Sequence, residues 1–152
     1  MPRRTYIRSR RPRKKYSIQQ KAFSFTAAPS ATTSVEIVPA TTVEGMRKVK
    51  HVTVNCSAMS VEFPIYWALV YVPQGTTPGA LNIATTADET SLYEPNQFVM
   101  NCGIADPDAG PIRVWSPLAR NLNDGDRILL LCTHINSASL TIYALSRYAI
   151  TY

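Results

Sequence analysis

Arg3, Arg4, Arg8, Arg10, Arg11, Arg13, Lys14, Lys15 and Lys21 place nine cations in the first 21 residues of this 152-residue chain, with no Asp or Glu among them. From Arg3 to Lys15 the charges recur every one to four residues, close to the phosphate spacing of a flexible strand. A guanidinium donates two parallel hydrogen bonds to a phosphate, and each phosphate neutralised releases counterions. Such an arm binds nucleic acid strongly, with little sequence preference and a steep salt dependence. Tyr6 and Tyr16 lie among the cations, where aromatic rings can stack on unpaired bases. Arg10, Arg11, Arg13, Lys14 and Lys15 also form a basic nuclear-import address, a use compatible with the first.

The other seven Lys/Arg share residues 22–152 with all ten Asp/Glu, so the body is slightly acidic at −3 while the whole chain is +6. That split divides the chain into an arm, 1–21, and a globular body, 22–152. A second basic group, Arg47, Lys48 and Lys50 beside His51, falls on an expected strand. Lys48 and Lys50 share the parity of Val52 and Val54, and either extend the arm's groove from the sheet end or form a solvated strand end. Asp106, Asp108, Asp124 and Asp126 read as turn formers, with loop-bound Ca²⁺ as the alternative.

Nothing assembles an active site. His51 and His134 lack a nucleophile context, and there is no GxSxG, phosphate-binding loop or HExxH. No catalytic residue, metal site or cofactor is expected. Cys56, Cys102 and Cys132 form no CxxC pair and read as reduced thiols packed as small hydrophobes. No apolar run approaches the ~18 residues that span a bilayer, so no membrane insertion is expected. Pro2 and Pro12 argue against the amphipathic helix of a mitochondrial presequence.

An arm with so little to bury is expected to be disordered until it meets anions. After Lys21 the texture changes to short runs of Thr, Ser, Val, Ala and aromatics between Pro and Gly turns, which is the texture of strands. Eight are expected, near 22–27, 33–38, 46–58, 63–72, 97–104, 111–116, 126–135 and 139–151. In the last, Leu140, Ile142, Ala144, Tyr148 and Ile150 share one parity and form its core face. Strands 63–72 and 128–132 are apolar on both parities and need cover outside the sandwich, from a loop or a neighbouring subunit. Asn123-Asp124-Gly125-Asp126 signals a tight turn, and a helical turn is expected around Thr86–Leu92. The fold class is all-β: a single eight-stranded antiparallel jelly roll with a disordered basic N-terminal arm.

The arm is followed by Trp67-Ala-Leu-Val-Tyr-Val-Pro73, Gly75-Thr-Thr-Pro78, Ser91-Leu-Tyr-Glu-Pro-Asn-Gln-Phe98, Gly110-Pro-Ile-Arg113 and Ser116-Pro-Leu-Ala-Arg-Asn-Leu122. Over nearly its whole length this combination resembles the capsid proteins of small circular Rep-encoding single-stranded DNA viruses, the circovirus-like group. The resemblance implies a jelly roll of which roughly sixty copies close into a T=1 icosahedral shell, arms inward on a single-stranded DNA genome. It also implies residence in the virion, assembly in the host nucleus by way of import receptors, and a cell-surface receptor. A cellular nucleic-acid-binding module of ribosomal or chaperone-like type is the alternative, as is a small RNA virus capsid protein. A cupin-like jelly-roll enzyme would need more metal-binding histidines than two.

Overall fold

A computed structural model describes residues 15–58, 64–79, 81 and 98–151. The strands are β1 (Ser17–Ala27), β2 (Thr33–Val38), β3 (Arg47–Ala58), β4 (Ile65–Val72), β5 (Phe98–Ala105), β6 (Ile112–Ser116), β7 (Arg120–Leu122), β8 (Arg127–His134) and β9 (Leu140–Thr151). Among the described residues there is also a 3₁₀ turn, Pro107–Ala109, capped by the Asp106 carboxylate, which accepts from the Asp108 amide at 3.0 Å. The expected helical turn at Thr86–Leu92 lies outside the described residues, as does the arm from Arg3 to Lys14.

All pairings among the described residues are antiparallel. Sheet A runs β1-β9-β3-β6, with β7 also on β3, and sheet B runs β2-β8-β4-β5. Counting β6 and β7 as one interrupted strand gives the nested order 1-8-3-6 facing 2-7-4-5, the jelly roll, in which the two chain halves fold over each other as paired Greek keys. The interruption has a local cause. Pro117 has no N–H to give the ladder, so the strand leaves β3 after Ser116 and rejoins it at Arg120.

β1 begins at Ser17 rather than near residue 22. Its first five residues, Ser-Ile-Gln-Gln-Lys, have a weak strand texture, but β9 offers a full ladder, pairing Ser17 with Ile150 through Lys21 with Ser146. Available backbone partners outweighed local propensity. Lys21 therefore lies inside the sheet.

Between the sheets sit the inward faces, among them Val49, Val52, Val54, Leu69, Leu122, Ile128, Leu130 and Ile142. Each such side chain contributes on the order of 1.5–3 kcal/mol. The doubly apolar strands are covered by the chain itself: Ala68, Val70, Val72, Leu129 and Leu131 are buried on the outer side of sheet B, with Leu81 and Val99 packed on them. Leu81 is held there by its backbone, which donates to and accepts from the Thr32 hydroxyl at 2.8 and 3.1 Å.

Polar contacts close both ends of the sandwich. At one end Asp126, buried at the start of β8, accepts from the Tyr71 hydroxyl (2.7 Å), the Asn123 amide (2.8 Å) and the Gln74 amide (3.0 Å). Gly125, at φ 72°, makes the turn that brings it there. At the other, the fully buried His134 ring meets the Ala27 carbonyl at 3.1 Å, while its own carbonyl accepts from the Ser30 amide at 2.9 Å.

Cys56 and Cys132 are buried in the core and Cys102 is exposed. Burial pushes the Cys56 thiol up to about 11; burial, helped by Cys56, pushes Cys132 up to about 12. In the unfolded chain both ionise near 9.0, so that stability is full below pH 9 and declines as pH rises toward 11 and 12. The decline is at most ~1.4 kcal/mol per pH unit for each thiol. Chemical denaturation from pH 8 to 11 should show this slope, and Cys132→Ala should flatten it. A native protein should expose only one of its three thiols, Cys102, to rapid labelling.

Candidate nucleic-acid interface

The five strands of sheet A contain no Asp or Glu, yet carry Lys21, Arg47, Lys48, Lys50, Arg113, Arg120 and Arg147. Sheet B carries one acid, Glu36, and one base, Arg127. The sandwich is therefore polarised, with the cations concentrated on one sheet.

A single extra residue decides which of these cations face outward. The register of β3 on β9 shifts between Lys50 and Thr53, and His51 stands there at φ 54°. Such a bulge reverses parity along the strand. Val49 before it and Val52 and Val54 after it all enter the core, whereas Lys48 and Lys50 turn to the outer face. The shared parity of Lys48 and Lys50 with Val52 and Val54 thus does not mean a shared face.

Arg47 takes the inward course. It is buried, its guanidinium donating to the Pro39 carbonyl at 3.0 Å and the Asp126 carbonyl at 3.2 Å. Its charge closes the end of the sandwich and presents no donor at the surface. Lys50 is placed differently: its Nζ lies 3.7 Å from the centre of the Tyr16 ring, a close cation–π contact. The basic segment therefore joins the body beside Lys50, on the cationic sheet. Lys15 is exposed, one residue further out, and Lys21 is exposed on β1 with its Nζ 5.9 Å from the Phe23 ring. Arg3, Arg4, Arg8, Arg10, Arg11, Arg13 and Lys14 lie outside the described residues.

Arg113, Trp115 and Arg147 escaped the sequence reading. Cross-strand pairing aligns Gln20, Arg147, Thr53 and Trp115 in one row across β1, β9, β3 and β6, with Ala22, Leu145, Asn55 and Arg113 in the next. All of these but Ala22, with His51 and Ile18, line an open groove of about 610 Å³. The available signal was the absence of acids from 111–116 and 139–151, together with Arg113, Trp115 and Arg147 on their exposed parities.

Asp106 and Asp126 serve the fold. Asp106 caps its turn, both carboxylate oxygens of Asp126 are occupied by protein donors, and among the described residues no three His, Cys, Asp or Glu cluster as a metal site would require. No described helix is long and apolar enough to cross a membrane.

No protein-family profile and no curated protein matches the chain. Among solved structures it is similar to the infectious bursal disease virus Gt strain, at 15% identity over 92% of this chain and 41% of that one, TM-score 0.25. The infectious bursal disease virus VP2 subviral particle gives 14% identity over 91% and 41%, TM-score 0.24. The chain spans about two fifths of the length of these proteins. At such TM-scores the likeness carries no argument, and the jelly roll rests on the strand order given above.

Proposed function

We propose that this chain is a non-enzymatic viral capsid protein that self-assembles into a small icosahedral shell and packages single-stranded DNA through its basic N-terminal segment. The observation that carries the reading is the Lys50–Tyr16 contact on an acid-free sheet: the polycation is rooted on the one face of the jelly roll that does not oppose its charge. Jelly rolls serve shells, lectins and cupins alike, so the charge distribution, rather than the fold, selects among them. The resemblance to circovirus-like capsid proteins adds the single-stranded DNA cargo, the T=1 geometry, the virion location and nuclear assembly through Arg10, Arg11, Arg13, Lys14 and Lys15.

Roughly sixty such arms would supply on the order of 540 positive charges, against roughly 1,500–2,000 phosphates in a genome holding this gene and one for replication. About a third of the phosphate charge would be met by protein and the rest by mobile cations, an arrangement suited to a flexible single strand.

Expression in cells followed by electron microscopy of the product should show closed particles. Soluble monomers alone, bound to nucleic acid or not, would overturn the shell and favour a cellular binding module. Sequencing the nuclease-protected contents then separates DNA from RNA cargo.

A further inference from the structure

The geometry points to a second, ordered nucleic-acid site on the outer face of sheet A, one that takes a single strand and stacks an unpaired base on Trp115. This deepens the packaging reading and rests on it for the cargo's chemistry. Trp115 is 42% exposed. Two residues along β6 stands Arg113, and two strands away in the same row stands Arg147, about 10 Å off at the usual strand spacing of ~4.8 Å. Both guanidiniums are at the surface and neither strand holds a carboxylate to neutralise them. An exposed ring with a phosphate-binding fork along its own strand and another across the sheet offers what single-strand binders use, stacking that is indifferent to base identity and cations that the backbone can follow.

The groove's remaining walls suit the same ligand. Gln20 and Asn55 offer amide donors and acceptors for base edges, and His51 at the bulge lies between this row and Lys50. Phosphate contacts can therefore run from the root of the arm at Tyr16 and Lys50, past His51, to Arg147 and Arg113. Its volume of about 610 Å³ is within the range of ligand pockets. A duplex keeps its bases paired and stacked on each other, so it reaches the cations but leaves the indole unused. The arm itself is excluded as occupant by its charge, which repels this face.

The test uses the full chain and oligothymidylate of about 12 nucleotides, with oligouridylate and a DNA duplex of equal length beside it. Trp115 and the partly buried, core-packed Trp67 are the only two tryptophans, so binding should quench the accessible part of the fluorescence and shield it from acrylamide. At raised salt, where the arm's contribution is screened, Trp115→Leu should weaken single-strand affinity about tenfold and leave duplex affinity unchanged. The double variant Arg113→Gln/Arg147→Gln should lower the slope of log K against log salt by about 1.4 for the single strand. Binding of either single strand that shields the tryptophan and is weakened by Trp115→Leu supports the site, and the strand more strongly affected names the one it serves. Salt-dependent binding without tryptophan shielding, and with the slope unchanged in the double variant, would overturn the site while leaving the arm's role intact. Absence of any salt-dependent binding by the full chain would instead overturn the packaging reading beneath it. Should Trp115→Leu fail to fold, shielding in the native chain and the double variant still decide.

Discussion

Exchanging Arg3, Arg4, Arg8, Arg10, Arg11, Arg13, Lys14 and Lys15 together for glutamine should leave a folded, assembling protein whose particles are nearly empty of nucleic acid. Eight cations, each neutralising one phosphate of a single strand, contribute about 0.7 apiece to the salt slope, so the slope should fall by about 6. Between ~50 and ~200 mM salt a change of that size separates strong binding from weak. Absorbance ratios of purified particles and salt titrations of the free protein measure it, and particles with undiminished nucleic acid would refute the role of these residues. Substitution is a cleaner test than truncation after Lys21, which would remove five β1 residues paired with β9, from Ser17 against Ile150 to Lys21 against Ser146. Exposing that length of β9 backbone would confuse loss of binding with loss of fold.

Asp126→Ala should be among the most damaging single changes in the body. It strands three donors at once, the Tyr71 hydroxyl and the amides of Gln74 and Asn123, at a site where Asp126 itself is buried. Unsatisfied buried donors cost about 1–3 kcal/mol each, and partial relaxation brings the expected loss to about 3–5 kcal/mol. For a domain of this size the midpoint of thermal unfolding should drop by roughly 10–20 °C. The neighbouring Asp124→Ala is the control: one Asp124 carboxylate oxygen is buried without a partner, so its removal strands no donor and should not lower stability. Tyr71 supplies an independent readout. Burial, then the hydrogen bond and charge of Asp126, push its phenol up to about 12, with Arg120 opposing. Removing Asp126 should move the phenol's ionisation down toward 10, visible in an alkaline absorbance titration. An Asp126→Ala protein as stable as the parent would show that this cluster does not hold the end of the sandwich.

The strands were legible because their signal is local. Alternation in Leu140–Ile150 predicted a core face, and Leu140, Ile142, Ala144 and Ile150 are all buried. The turn Asn123–Asp126 and the break after Ser116 are likewise written in Gly125 and Pro117, whose backbones permit few alternatives. β7 and the start of β1 were not legible, because each exists through pairing with a distant strand rather than through its own propensity. The cover over Val70 and Leu131 was anticipated, but whether it came from the same chain required the fold to answer; Leu81 and Val99 pack there.

By itself, then, the sequence determined the all-β class, most strand positions and the excess of cations near the N-terminus, since composition and periodicity are properties of contiguous residues. Only the tertiary structure decided sidedness. One inserted residue at His51 sends Lys48 and Lys50 outward while their parity mates Val52 and Val54 go inward, and Arg47 is drawn into the sandwich by the carbonyls of Pro39 and Asp126. Strand order alone brings Arg113 and Trp115 of β6 into register with Arg147 of β9 across β3. A pattern read along a chain has no access to which strands become neighbours, and the shape of the cationic face depends on that adjacency.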